Sequence, residues 1–377
     1  MAAGGGPTAI RPPGYPVLLA GVLGVSGGSL TAGRVASAVL GTVAVALLGL
    51  IARQLWDTRT ALASLALGAL TPPLLAVATT LVSENLSLAL LLGAVASVLA
   101  HRRSHHQLRW AASAGVLIGL ATLTRSNAAI VVVPLTAGLF LRVPRLRFRD
   151  LAPALALVGA AVVAIAPWTI RNVIVLDAFV PVSTQASYTL AGSYNEAGRT
   201  DTRFPYAWRP ANLSPEYAQV LRREEMNEVE LGRELGAAVR EHLGGHPESP
   251  LAVAFWNSVR LLHLHQLEYS IASARSIGVR RWPATAAILG FYPLALLALA
   301  GAFTRRARAA PRFLWAIPVL LWAVVFVGGF LRYRTPVDAF LVLLAAAALA
   351  AGLDRLDARR VVRGASARLC LAEAVQR

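Results

Sequence analysis

The sequence is dominated by apolar runs of about 17–22 residues, the length at which a helix crosses the hydrocarbon core of a bilayer. Nine such runs are read, at about 32–52, 60–80, 83–100, 110–124, 127–142, 150–170, 283–303, 313–330 and 336–352. A chain with this pattern has few choices of fold. Backbone in lipid must satisfy its own hydrogen bonds, and helices do so within one segment. The expected fold class is an all-α polytopic membrane protein. "TPPLL" at Thr71 is expected to kink or end the second run. No internal repeat is visible.

Composition agrees. The chain is 56% hydrophobic, above the roughly 45–50% of soluble domains. Its formal net charge is +17, carried entirely by arginine. Such an excess suggests nucleic acid, but basic residues also gather in the cytoplasmic loops of membrane proteins, and that reading fits the pattern here. One set of short loops and the C-terminal tail holds Arg53, Arg59, Arg102, Arg103, Arg109, Arg142, Arg145, Arg147, Arg149, Arg305, Arg306, Arg308, Arg312 and the arginines from Arg355 onward. The opposite short loops hold Arg125, Arg332 and Arg334. The first set is expected to be cytoplasmic. Residues 1–170 then form an N-terminal membrane region, 282–353 a C-terminal one, and 354–377 a cytoplasmic tail. The segment 171–281 faces outward; its twelve arginines balance twelve acidic residues, so it can be translocated. The lone Cys370 excludes an internal disulfide framework.

Within the outer segment, "SPEYAQVLRREEMNEVELGRELGAAVREHLGG" reads as one helix, with Ser214 as N-cap, Pro215 in the first turn and Leu231, Leu235 and Val239 on one face. The preceding "VPVSTQASYTLAGSYNEAGRTD" reads as extended or looped surface. Residues 14–28, "GYPVLLAGVLGVSGG", read as a tenth short span or as an amphipathic or re-entrant helix at the outer surface.

Ionisable side chains at membrane depth point to function. Glu84, Arg125, Arg171, Arg332 and Arg334 lie at outer ends of spans, Asp338 follows just inside the last one, and Arg34 lies near the outer end of the first. A guanidinium fork matches phosphate oxygens and stays charged, and a nearby carboxylate can take a proton from an acceptor hydroxyl. Arginines at span ends also commonly snorkel as anchors. "HRRSHH" at His101 reads as a solvated turn, and His263 and His265 sit two apart, which share a face only in a strand. Neither is read as a metal site, and no nucleotide, dinucleotide or hydrolase motif is present.

The ordered series "IRPPGYPVLLAGVLGV", "AGRVASAVLG", "LVSENLSLALLL", "GLATLTRSNAAIVVVPL", "APWTIRNVIVLDAFVPVSTQASYTLAGSYNEAG" and "RYRTPVDAFLVLLAA" resembles bacterial membrane glycosyltransferases of the GT-C superfamily, the protein mannosyltransferase and aminoarabinose transferase group. The resemblance implies a GT-C-like bundle of about nine or ten transmembrane helices with one extracytoplasmic segment in a bacterial plasma membrane. It implies transfer of a sugar from a polyprenyl-phosphate carrier to a protein, lipid or glycan acceptor, with inversion and without nucleic acid. On this resemblance Arg125, Arg171, Arg332 and Arg334 hold the donor phosphate, Arg34 and Tyr333 support them, Glu84 and Asp338 are the candidate acids, and Ser183, Thr184, Tyr188 and Asn195 belong to a sugar or acceptor pocket. No cofactor or metal is implied. The group carries an acidic loop, after a first span, ahead of its "RPPGYP" equivalent; here that motif starts at Arg11 and the first acid is Asp57. An in-frame upstream extension is therefore expected to encode a further span and an Asp or Glu, without which the chain is inactive. The alternatives are a non-catalytic membrane protein and a lipid or solute transporter; the latter is expected to show repeated halves with broken helices.

Overall fold

The computed structural model describes residues 7–140, 151–221 and 226–375, with side chains up to residue 360. Arg142, Arg145, Arg147 and Arg149 lie outside the described residues. All regular structure among those described is helical.

Each of the nine apolar runs lies on helix. After α1 (Gly14–Val25) come α2 (Leu30–Leu55), α3 (Thr58–Leu70), α4 (Pro72–Ala78), α5 (Glu84–His101) and α6 (Gln107–Thr124). A 3₁₀ turn (Ser126–Val131) leads into α7 (Val132–Phe140), and α8 runs Ala152–Leu176. The C-terminal helices are α15 (Arg281–Ala302), α16 (Arg305–Ala309), α17 (Arg312–Trp322) and α18 (Thr335–Val375). Five helices are long and apolar enough to span, and the pair α3/α4, bent by 59°, makes a sixth. That bend falls at Thr71–Pro72, where proline cannot donate to the preceding turn. Ser126–Phe140 and Arg312–Phe326 are shorter apolar pieces. α1, with 12 residues, reaches only about 18 Å and cannot cross a ~30 Å core. It lies against α2 and α6, with Tyr15 buried and its hydroxyl 3.5 Å from Ser37 Oγ.

The core is built around α5, whose Leu88, Leu91, Leu92, Val95 and Val98 are buried, and the first half of α18, where Phe340, Val342, Leu343 and Ala345 are buried. The outer helices show apolar faces instead: Val35, Val39 and Val43 on α2, Leu155, Val162 and Val163 on α8. An apolar exterior around a packed interior suits a chain solvated by lipid. α6 meets α8 through Gly115 and Gly119, one turn apart. A Cβ at Gly119 would stand 2.8 Å from Ala161 O and from Ala164 Cβ, so glycine is what lets these backbones approach.

One end of the bundle is tied by charge. Arg306 pairs with Asp57 and Asp354 at 2.7 Å each, and Arg59 with Asp354 and Asp357 at 2.8 Å. His101, at the same end, is buried rather than solvated, its Nδ1 2.8 Å from Gln107 O.

The other end carries α9 (Gln185–Ser193), α10 (Glu196–Arg199), α11 (Pro215–Leu221), α12 (Glu228–Gly245), α13 (Ser249–Leu261) and α14 (Leu267–Arg275). Two expectations change here. The single long helix is two, because Asn227 and Glu230 form a reciprocal capping box that starts α12 afresh. Leu235 and Val239 are buried on it as the spacing requires. The stretch read as looped surface contains α9 and α10. Its small and polar residues hide a buried stripe in which Ala191 and Tyr194 pack against Tyr217, Leu235 and Val239. Tertiary burial here overrides local composition.

Candidate functional site

Three chain breaks build the site. After α4, the chain turns at Thr79–Ser83, and the Asn85 side chain pins the turn by donating to Val77 O and Thr80 O at 3.0 and 3.4 Å. Glu84 is thereby set in the first turn of α5, where the helix dipole favours its charge. α6 stops at Arg125, which goes extended. Between α17 and α18 the chain is held by the helices of the outer segment: Ser193 Oγ donates to Val327 O at 2.7 Å, Tyr194 Oη to Phe326 O at 2.8 Å and Asn257 Nδ2 to Val325 O at 2.8 Å. At Gly329 a Cβ would meet Asn257 Oδ1 at 2.7 Å, so this approach needs glycine. The 3₁₀ turn Leu331–Arg334 follows and delivers Arg332.

The three meet. Arg125 Nη1 lies 2.5 Å from Glu84 Oε1 and 3.3 Å from Ser83 Oγ; Arg332 Nε lies 3.4 Å from the same Oε1. Both guanidiniums sit over the Tyr333 ring, at 5.1 and 5.5 Å. A cavity of about 590 Å³ opens above them. Its walls include Arg11 and Tyr15, Arg125–Asn127, Ser183, Gln185 and Thr189 of α9, and Arg332 with Tyr333. Arg11, Arg125 and Arg332 line it, and no carboxylate does. The Glu84 side chain is 1% exposed against 17% and 29% for Arg125 and Arg332. Glu84 therefore aims the arginines from behind, and an acceptor hydroxyl cannot reach it.

Several expected site residues lie elsewhere. Arg334 and Asp338 form a buried pair at 2.8 Å, one turn apart. Arg334 also donates to Leu261 O, and its guanidinium stacks 3.6 Å from the Phe291 centroid. Neither residue reaches the cavity, because Arg334 points into the junction of α13, α15 and α18. Arg171 stacks on Trp168 at 4.7 Å and donates to Asn172 Oδ1 and Thr8 O at 3.0 and 3.3 Å, so it ties the N-terminal stretch to α8. Arg34 is exposed on α2, away from the cavity lining. Of the pocket residues, Ser183 lines the cavity, its Oγ 3.2 Å from Ser126 Oγ. Thr184 turns toward Glu228, 3.5 Å away, and Tyr188 packs on the core of the outer segment. Asn195 is buried and caps α10 by accepting from Gly198 N at 2.7 Å. Arg11, Tyr15, Ser126 and Asn127 were missed as site residues, although Arg11 and Tyr15 stand within the quoted "RPPGYP".

Residues 10–170 match the family of dolichyl-phosphate-mannose-protein mannosyltransferases. Over 96% of its length the chain superposes on the archaeal oligosaccharyltransferase AglB from Archaeoglobus fulgidus, captured with an inhibitory peptide and a dolichol-phosphate, at a TM-score of 0.52 and 14% identity. The chain has the GT-C glycosyltransferase fold. Two other structures of the Archaeoglobus fulgidus enzyme, with Zn and sulfate and in the apo form, align at TM-scores of 0.37 and 0.39, 13% and 15% identity, over 93% and 96% of this chain and 41% and 45% of theirs. The GT-C chain described here thus spans under half the length of these structures. No curated protein matches its sequence. The family match covers α1 to α8 and so contains Arg11, Glu84 and Arg125, whereas Arg332 lies beyond it.

Proposed function

We propose that the chain binds a polyprenyl-phosphate-linked sugar in the cavity above Glu84 and transfers the sugar to an acceptor on the extracytoplasmic side of a bacterial plasma membrane. One observation carries this reading: Arg125 and Arg332, about 200 residues apart in sequence, converge on one carboxylate at the base of a cavity whose lining is otherwise free of negative charge. Three arginines against one glutamate leave a net positive site, and an anionic lipid head group is the ligand that such a site at a membrane boundary fits. The family match and the dolichol-phosphate held by the archaeal neighbour support the same donor class.

In the proposed step, an acceptor oxygen attacks the anomeric carbon from the face opposite the phosphate. The bond from that carbon to the phosphate oxygen breaks, and the polyprenyl phosphate leaves with the electron pair. Arg125 and Arg332 stabilise the charge that develops there, already oriented by Glu84 and Tyr333. The acceptor proton passes to a base other than Glu84. Arg11, at the cavity wall, adds positive potential near the phosphate.

Binding and transfer are separable tests. The purified chain in detergent is offered polyprenyl phosphate and the uncharged polyprenol, with native mass spectrometry as readout. Retention of the phosphate but not the alcohol is expected. Equal retention of both refutes the phosphate site. A panel of radiolabelled polyprenyl-phosphate sugars, assayed with membrane acceptors, then identifies the sugar by incorporated label.

A further inference from the structure

Outside the cavity, the helices of the outer segment bring together a second set of chemically capable side chains. His242 stands in the last turn of α12, His246 is its C-cap residue, and Glu196 opens α10. One ligand atom from each lies within 4.8 Å of the others. We infer that Glu196, His242 and His246 form a binding site for a divalent transition metal of the zinc class, separate from the sugar-transfer cavity.

The His-x-x-x-His spacing places both imidazoles on one helical face. Their ring centroids are 4.9 Å apart. His246 Nε2 faces Glu196 Oε2 at 3.7 Å, while its Nδ1 faces Glu248 Oε1 at 3.6 Å. That is the arrangement of a ligating histidine whose second nitrogen is steadied by a carboxylate. Glu196 is likewise steadied: Arg199 donates to both of its oxygens, at 2.8 and 2.7 Å, and its backbone N–H donates to Glu216 Oε1 at 2.7 Å. A pair of histidines at a helix C-terminus has a simpler reading, favourable contact with the dipole. That reading leaves His242 Nε2 unexplained, since it is buried with no hydrogen-bond partner. Burial, and then His246, hold the His242 imidazole below its ordinary pKa, and the Arg199 hydrogen bonds hold the Glu196 carboxyl below its own. Both groups are thus in their ligating forms at neutral pH.

Two imidazoles and one carboxylate suit zinc, with copper and nickel as competitors in affinity. Tetrahedral ligation sets ligand atoms about 3.3 Å apart, so the three groups close inward by roughly an ångström on binding. The consequence is mechanical. The metal would staple α10 to the end of α12, and α10 follows directly on α9, whose Gln185 and Thr189 line the sugar-transfer cavity.

The test uses the full chain in detergent, stripped of metal and then given Zn²⁺, with zinc counted after desalting and thermal unfolding followed alongside. Retained zinc and a raised Tm are expected, both lost in His246→Gln, a half-exposed position where folding is not at stake. Co²⁺ in place of Zn²⁺ is expected to give the visible absorption of a tetrahedral site. Glu248→Gln is expected to weaken binding by about tenfold, as loss of an outer-shell partner does. If wild type retains no zinc, or His246→Gln retains as much with the same rise in Tm, the site does not exist.

Discussion

Replacing Arg332 with alanine is expected to lower sugar transfer by about 10²–10³-fold, the usual cost of removing one preorganised charge from a transition state. It is also expected to abolish the preference for polyprenyl phosphate over polyprenol. The protein should still insert and elute as a single species, because Arg332 is partly exposed at a cavity wall and its loss leaves Glu84 paired with Arg125 at 2.5 Å. Arg332→Lys separates charge from shape. An ammonium keeps the positive charge but offers no planar fork, so it should restore much of the phosphate preference and little of the rate. Arg125→Ala is expected to do more structural harm, since Arg125 is the shorter of the two contacts to a carboxylate that is 1% exposed. Full transfer by Arg332→Ala would remove the residue from the chemistry, and with it the proposed phosphate site.

How much of this was legible in the sequence depends on what each residue had to know. The helices were legible because a run of apolar residues carries its own instruction in lipid, and the break at Thr71–Pro72 because proline acts locally. Arg125 and Arg332 could be nominated from their positions at the ends of spans. What the sequence could not supply was direction. Arg332 and Arg334 are two apart in "RYR", and in a 3₁₀ turn such neighbours face different ways. One therefore lines the cavity and the other enters the protein interior. The same limit hid α9, where Ala191 and Tyr194 matter only because Tyr217 and Leu235 are waiting for them. It hid the metal cluster too. The spacing of His242 and His246 was a readable signal, but Glu196 lies 46 residues earlier and joins them only through the fold.

The second arginine of that motif has the opposite expected phenotype. Asp338→Ala would leave Arg334 as an unpaired cation that is otherwise shut off from solvent, with its side chain 0% exposed. Breaking a buried pair by deleting one partner costs about 3–5 kcal/mol, a large share of the roughly 5–15 kcal/mol that holds a typical domain together. Poor yield and loss of a stable species in detergent are expected, whatever ligand is present. The decisive comparison is the double variant Arg334→Met, Asp338→Leu. Replacing both charges with side chains of similar bulk removes the desolvation cost along with the attraction, and such swaps are often neutral or stabilising. Methionine sulfur can also take over the contact with Phe291. Against this, Leu261 O loses a donor at the end of α13, which sets a limit on the recovery. The double variant is expected to be stable in detergent and to keep its preference for polyprenyl phosphate, since Arg125, Arg332 and Glu84 are untouched. A stable Asp338→Ala protein that binds polyprenyl phosphate but transfers no sugar would overturn this assignment. It would move Asp338 from the packing of α18 into the chemistry itself.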